Sequence, residues 1–288
     1  MEYVTLNNGV KMPMLGFGVW QVFDAQVCEE SVAPALRTGY RLVDTAAAYM
    51  NEEAVGRAVA SAMERDGISR EELFITTKLW VQDAGYENTK TAIQSSLDKL
   101  GLDYLDLYLV HQPLGDYYGS WRAMEEACEA ETIKAIGVCN FTPDRLADLC
   151  IHSKVTPAVN QVQIHPFCQQ NATFAAMKEY GVQPQAWGPI AQGSEAAFQN
   201  ESLLTIGKKH GKTAAQVMLR WHMQRGVVAI PKSVHEERIK ENYNIFDFEL
   251  DGDEMAAIAG LNVPENESNG IYPVNGVRYM CCEYKVHD

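Results

Sequence analysis

The chain of 288 residues lacks long apolar runs, an excess of positive charge and a basic amino-terminal leader. No stretch approaches the roughly 20 consecutive apolar residues that cross a bilayer, and residues 1–5 show no basic segment followed by an apolar one. The net charge is -14, from 24 basic and 38 acidic residues, so most of the surface repels phosphate backbones and anionic lipids. We therefore expect a cytoplasmic protein with no membrane or nucleic-acid partner.

Cysteine is present but shows no pairing or ligand pattern. The seven cysteines are odd in number and scattered, and Cys28, Cys128 and Cys150 fall inside apolar patterns, which is typical of reduced thiols in a cytosol. The adjacent Cys281 and Cys282 have no His or Cys neighbours at ligand spacing. The sequence therefore predicts no metal site.

Eight short apolar or β-branched runs repeat along the chain, with helix-period segments between them. The runs are residues 15–20, 42–44, 73–79, 105–111, 135–139, 159–163, 183–187 and 227–231. Between them, apolar residues recur at i, i+4 and i+7, as at Ile93, Leu97 and Leu100. Strict alternation over eight repeats predicts an α/β protein, a single (β/α)8 TIM-barrel domain over residues 1–288, and the alternative is an open doubly wound sheet.

Two segments fall outside this repeat. Asn8-Gly9 stands between short strand-like arms, which predicts an N-terminal β-hairpin that plugs the bottom of the barrel. Residues 262–288 contain Pro264, Asn269-Gly270 and Pro273 with no lasting periodicity. We expect them to form a long C-terminal tail near the active-site face.

Three ionisable residues close successive runs at spacings of 34 and 33 positions: Asp44, Lys78 and His111. Tyr49 follows in the loop after Asp44. Because the carboxyl ends of parallel strands meet on one face of a barrel, we expect these four side chains to converge. They suit carbonyl reduction, in which Tyr49 donates a proton to the developing oxyanion, Lys78 lowers the pKa of Tyr49, Asp44 holds Lys78, and a neutral His111 orients the carbonyl oxygen.

A basic cluster follows the eighth run, at the start of a predicted helix that continues through Asn242. Lys232, Ser233 and Arg238 suit a phosphate group, and a 2'-phosphate at this position predicts NADP rather than NAD. The alternative is that the two cations pair with Glu236 or Glu237. Gly16-Phe17-Gly18 lacks the third glycine of the dinucleotide fingerprint, so a Rossmann unit is not expected.

Several motifs together resemble the aldo-keto reductase family over roughly residues 3–262. They are 16–20 (GFGVW), 44–49 (DTAAAY), 78–80 (KLW), 109–111 (LVH), 137–141 (GVCNF), Asn160-Gln161 with His165-Pro166, and 230–233 (IPKS). Within that family, 111–113 (HQP) and 119–125 (GSWRAME) are similar to bacterial enzymes described as diketogulonate or glyoxal reductases.

The resemblance implies an NADPH cofactor laid across the barrel mouth and a small-molecule carbonyl substrate, in a protein that is mostly monomeric in this family. Asn140 and Gln161 are expected to bond the nicotinamide carboxamide, and Trp187 to stack on the ring. Gly18, Pro189, Ile190 and Asn242 complete the expected cofactor set, with residues 188–226 forming a loop over the pyrophosphate or a plain surface insertion. Substrate contacts are expected from Trp20, Trp80 and His111, with residues 115–119 and the tail finishing the pocket.

Two positions depart from the family pattern, and two other functions remain open. Met50 stands where a glycine commonly follows the tyrosine, and Cys139 stands where a serine is frequent, which weakens a contact near the nicotinamide. One alternative is a regulatory or binding protein on a reductase scaffold. The other is a metal-dependent TIM-barrel hydrolase that uses Asp44, His111 and His165, although the first strand offers no His-x-His pair.

Overall fold

The computed structural model describes residues 1–267 and 272–287, and Asn269 and Gly270 of the expected tail lie outside the described residues. Eight strands pair in chain order and all in parallel. A bridge between Leu15 and Ala229 joins the first strand to the last, and Gly18 N donates to Pro231 O at 3.0 Å. The sheet is therefore closed, the TIM-barrel prediction is confirmed, and the open doubly wound alternative is wrong. The barrel strands are β3 (Gly16–Gly18), β4 (Leu42–Asp44), β5 (Phe74–Leu79), β6 (Leu105–Val110), β7 (Ile133–Cys139), β8 (Val159–Gln163), β9 (Gln183–Trp187) and β10 (Val228–Ala229).

Helices surround the barrel because their apolar stripes pack onto the sheet. Ile93, Leu97 and Leu100 are all buried on the helix Tyr86–Leu100, as their spacing predicts. The helices in the described part of the chain are α1 (Ala25–Thr38), α2 (Glu52–Arg65), α3 (Tyr86–Leu100), α4 (Tyr117–Glu129), α5 (Pro143–His152), α6 (Asn171–Glu179), α7 (Glu195–Phe198), α8 (Glu201–His210), α9 (Ala214–Gln224), α10 (Glu236–Tyr243), α11 (Gly252–Ala259) and α12 (Val274–Arg278). None of them combines the length and apolar character needed to span a bilayer.

The amino-terminal segment forms the predicted hairpin, with β1 (Tyr3–Thr5) antiparallel to β2 (Lys11–Pro13). Its turn lies against the beginnings of the barrel strands, since Asn7 Nδ2 donates to Pro157 O at 2.9 Å and Asn8 Nδ2 to Lys134 O at 3.0 Å. Met12, on β2, is fully buried and belongs to the hydrophobic core. The hairpin therefore covers the amino-terminal mouth of the barrel.

The interval between β9 and β10 is mostly helical. It begins with the turn Ala191–Gly193 and continues through α7, α8 and α9. The expectation of one long loop is therefore wrong, because α9 packs on β10 and α8 packs on α9. The turn that begins at Gly188 lines the cavity described below, together with Phe198 and Ala215.

The carboxyl-terminal segment returns across the opposite, active-site face. Tyr284 donates through its hydroxyl to Ala48 O at 2.7 Å, and its own carbonyl accepts from Trp80 Nε1 at 3.0 Å. Val286 N donates to Gln82 Oε1 at 2.9 Å. The tail is thus near the face that the sequence predicts, and it is bonded to the loops after β4 and β5.

Candidate active site

A cavity of about 850 Å³ opens at the carboxyl ends of the barrel strands. Its lining includes every predicted site residue except Lys78, which lies behind it at 0% exposure. The predicted residues on the lining are Gly18, Trp20, Asp44, Tyr49, Trp80, His111, Asn140, Gln161, Trp187, Pro189, Ile190, Lys232, Ser233, Arg238 and Asn242. Residues far apart in the chain therefore meet in one place.

The Lys78 ammonium is the centre of a buried polar cluster. It forms an ion pair with Asp44 Oδ1, donates to Thr45 O at 2.8 Å and donates to the Tyr49 hydroxyl at 3.3 Å. An ammonium has three N–H donors, and here each has one acceptor. The three-way arrangement fixes Lys78 between the carboxylate and the phenol without leaving a proton unpaired.

The protonation states of Lys78 and Tyr49 follow from burial and from the ion pair between Lys78 and Asp44. Burial disfavours the ammonium, but the charge and hydrogen bond of Asp44, together with the nearby Tyr49 and Cys139, outweigh burial and hold the pKa of Lys78 above its usual value. Burial also raises the pKa of Tyr49, and the opposing Lys78 charge does not cancel this effect. The expected net lowering of the Tyr49 pKa is therefore wrong, because desolvation of the phenolate is the larger effect. The phenol is protonated at neutral pH.

His111 lies against the aromatic side of the cavity. Its ring centroid is 5.6 Å from that of Tyr49 and 5.2 Å from that of Trp80. Burial, helped by the Lys78 charge, holds the pKa of His111 well below its ordinary value, so the imidazole is neutral. Its Nδ1 is buried with no partner among the described residues.

The two predicted substrate tryptophans differ in exposure. Trp80 is 5% exposed and is fixed by its bond to Tyr284 O, whereas Trp20 is 43% exposed and its ring lies 4.8 Å from that of Tyr49. Packing is the main role of Trp80 in the described structure, although it also contacts the cavity. Trp20 forms an open apolar rim.

Hydrogen bonds of the Asn51 side chain hold the loop that carries Tyr49. Thr45 Oγ1 donates to Asn51 Oδ1 at 2.6 Å, and Asn51 Nδ2 donates to Val19 O and Val22 O at 3.1 Å each. Met50 has φ +54°, a left-handed conformation that favours glycine. A glycine adopts this conformation without strain, whereas Met50 adopts it at a cost in free energy.

The residues expected at the nicotinamide also bond to one another. Trp187 Nε1 donates to Asn140 Oδ1 at 2.9 Å, and Asn140 has a left-handed backbone with φ +62°. Gln161 Nε2 donates to Asp44 Oδ2 at 2.7 Å. Cys139 Sγ, buried beside them, contacts Asn140 Nδ2 at 3.3 Å. The bond from Gln161 to Asp44 links the expected cofactor site to the buried polar cluster around Lys78. The sequence did not predict this bond.

The basic cluster lies at the other end of the cavity. Lys232 and Arg238 are exposed and have no ion pair among the described residues, because Glu236 pairs with Lys240 at 2.7 Å. The alternative in which the two cations pair with neighbouring glutamates is therefore wrong. The amino terminus of α10 also has no side-chain cap, so it adds unpaired N–H donors to this end.

Sequence reasoning missed part of the lining and misplaced another part. Gln112 lines the cavity although it was not predicted to do so, whereas none of the described residues 115–119 lines it. The tail lines it through Tyr279, Met280 and Tyr284, as expected. Asp116 instead caps α4, since its side chain accepts from Gly119 N. Gln112 adjoins His111 at the end of a strand, which is the one signal that predicts its position.

Comparisons with known proteins agree with this geometry. The model of the aldo/keto reductase family matches residues 14–263. The chain is 48% identical over 265 residues to a glyoxal reductase of Bacillus subtilis, covering 92% of this chain and 94% of that protein. It is 44% identical over 262 residues to methylglyoxal reductase DkgA of Escherichia coli, covering 90% and 93%.

A solved structure extends the likeness to three dimensions. The crystal structure of Bombyx mori aldo-keto reductase in complex with NADP superposes with a TM-score of 0.88 at 32% identity, covering 95% of this chain and 96% of that one. Fold, family model and relatives agree over most of the sequence. The chain belongs to the aldo/keto reductase family.

Proposed function

We propose that this protein reduces small carbonyl compounds to alcohols with NADPH, and that Tyr49 is the proton donor. The observation that carries the proposal is the buried Lys78 ammonium, shared among Asp44, Thr45 O and the Tyr49 hydroxyl beside a neutral His111. Phenol and imidazole both line the cavity, so both can reach one oxygen atom. That oxygen is where negative charge develops during carbonyl reduction.

The residues present fit NADPH. Lys232 and Arg238, which have no ion pair in the described part of the chain, and the start of α10 lie at one end of the cavity and suit a phosphate. At the other end, Asn140 Oδ1 accepts from Trp187 Nε1, and the second lone pair of this oxygen suits the carboxamide. When bound, the nicotinamide supplies the hydride.

The chain's own residues then handle the proton and the substrate. Tyr49 donates its hydroxyl proton to the carbonyl oxygen, and the adjacent Lys78 ammonium stabilises the phenolate that remains. Asp44 keeps Lys78 charged in its buried position. Because His111 Nδ1 is buried and unpartnered, Nε2 is the ring nitrogen that donates to the carbonyl oxygen and orients it.

The substrates we propose are small aldehydes and ketones, including α-dicarbonyls and keto-sugars. The similar proteins named glyoxal reductase and methylglyoxal reductase support this class. We also propose that the protein acts as a monomer in the cytoplasm. All seven cysteines are free thiols, which supports the cytoplasmic location.

The alternatives are less favoured. Both carboxylate oxygens of Asp44 accept from donors, one from Lys78 and the other from Gln161, so Asp44 is not placed as a metal ligand for a hydrolase. A regulatory protein without turnover does not require the ammonium, phenol and imidazole to meet at one cavity.

The test is the variant Tyr49→Phe, which removes the proton donor and keeps the ring. We expect NADPH oxidation with methylglyoxal or 4-nitrobenzaldehyde to fall by about 10²–10⁴-fold, while NADPH still quenches tryptophan fluorescence. Tyr3→Phe is a matched control, since Tyr3 is exposed and far from the cavity. Turnover that is unchanged in Tyr49→Phe would show that another group donates the proton.

A further inference from the structure

We propose that the Gln112 side-chain amide binds a second, neutral oxygen of the substrate and so makes the enzyme selective for α-dicarbonyl compounds over simple aldehydes. This inference rests on the proposed function and assigns a specificity residue to it. Its basis is a chain of hydrogen bonds from Trp187 through Asn140 and Gln112 to Tyr272.

The Trp187 indole determines which atom donates and which accepts in every bond of this hydrogen-bond network. An indole N–H can only donate, so the atom of Asn140 that faces Trp187 Nε1 is the oxygen, Oδ1. Asn140 Nδ2 then faces His111 O at 3.3 Å and the Gln112 side chain at 3.2 Å. Because Nδ2 is a donor, the Gln112 atom that faces it must be the acceptor Oε1.

The two polar atoms of the Gln112 side chain therefore differ in their hydrogen bonds. Oε1 accepts from Asn140 Nδ2 and, at 2.5 Å, from the Tyr272 hydroxyl. Nε2 has no partner within residues 1–267 and 272–287, and Gln112 lines the cavity directly after His111. Among the described residues these two N–H donors thus have no acceptor, on a side chain that lines the cavity, and an unpaired donor beside a cavity favours a ligand that carries an acceptor.

The charges around the cavity favour a neutral acceptor over a carboxylate. Lys78 is already paired with Asp44, and His111 is neutral. Lys232 and Arg238 line the cavity at its α10 end. Gln112 and His111 adjoin in the chain and both line the cavity, so an α-dicarbonyl, with its two neighbouring oxygens, is the class of substrate that can accept from both.

The experiment compares two four-carbon substrates, 2,3-butanedione and butanal, of which only the first has a second oxygen. For the full-length enzyme with NADPH, the measured quantity is the ratio of kcat/KM for the dione to kcat/KM for butanal. Gln112→Glu keeps the acceptor for Asn140 and Tyr272 but removes both N–H donors, and Gln112→Met removes donors and acceptor together. We expect the ratio to fall about tenfold in both variants.

Gln94→Glu is the matched control, because it adds the same charge on the exposed face of α3. Its ratio is expected to stay within about twofold of the wild-type value. Fluorescence quenching by NADPH verifies that each variant is folded and binds cofactor.

A ratio that stays within about twofold of the wild-type value in both Gln112 variants overturns the inference. If kcat/KM falls equally for both substrates, the ratio is also unchanged, and Gln112 is then a positioning residue only. Failure of the proposed function gives a different result, namely no NADPH oxidation by the wild-type enzyme with either substrate.

Discussion

The substitution Asp44→Asn tests the buried cluster most directly, since it removes one negative charge and keeps the shape of the side chain. Asp44 is 1% exposed and accepts from Lys78 and from Gln161 Nε2. Removing one partner of a buried ion pair costs about 3–5 kcal/mol, because the other charge stays buried without compensation. In a chain of this size the loss corresponds to a decrease in Tm of roughly 10 °C.

The same substitution also changes the titration of Lys78. Without the Asp44 charge, the main influence that opposes burial is lost and the pKa of the Lys78 ammonium falls. We expect the variant to lose at least about tenfold in kcat/KM at pH 7.5 and to recover activity as the pH is lowered, since the ammonium forms again. Thermal unfolding and a pH profile of kcat/KM measure the two effects.

The control for this prediction is Asp98→Asn, which removes one charge from an exposed aspartate that accepts from Gln94 at 2.8 Å. Its stability is expected to change by no more than about 0.5 kcal/mol. If Asp44→Asn matches this control in Tm and keeps the wild-type pH profile, the reasoning about the buried ion pair is refuted.

Two further predictions concern the cofactor and the pH dependence of stability. Arg238→Ala should weaken NADPH binding by about tenfold or more and leave NADH binding nearly unchanged, because only NADPH has the 2'-phosphate; equal losses in fluorescence titrations would contradict a phosphate contact there. Burial lowers the pKa of His165 to about 4, below the unfolded value of about 6.5, so the unfolded chain gains the proton first and stability is lost as the pH falls between these values. Between pH 7 and pH 5 the free energy of unfolding falls by about 2 kcal/mol from this residue alone. Urea unfolding at the two pH values should therefore show a smaller decrease in His165→Gln than in the wild-type protein. An identical decrease in both proteins would mean that His165 does not titrate in this way.

The barrel was predictable from the sequence because its signals are local. Each strand is a short apolar run, and Ile93, Leu97 and Leu100 show the period of a helix that packs on one side. The meeting of Asp44, Lys78 and His111 was predictable for the same reason, since each lies at or next to the carboxyl end of its strand and parallel strands end on one face.

The remaining features depend on distances in space that no local pattern encodes. Gln161 bonds to Asp44 across 117 positions of the chain, and Tyr284 bonds to Ala48 across 236. The tail has no periodicity, because its contacts are made by single side chains rather than by a repeated face. The pKa of Tyr49 could not be predicted either, because its direction depends on how completely the folded chain removes water from the phenol.

The parallel bridge between Leu15 and Ala229 has a consequence for how the chain is made. A ribosome releases the amino-terminal end first, and about two hundred further residues must be synthesised before the partner of the first barrel strand emerges. During that time the edge of β3 that will face β10 has no strand beside it, and an open edge is a template for pairing with other chains. We expect nascent chains that stop before residue 229 to require chaperones, and the demand to end abruptly once β10 has left the exit tunnel.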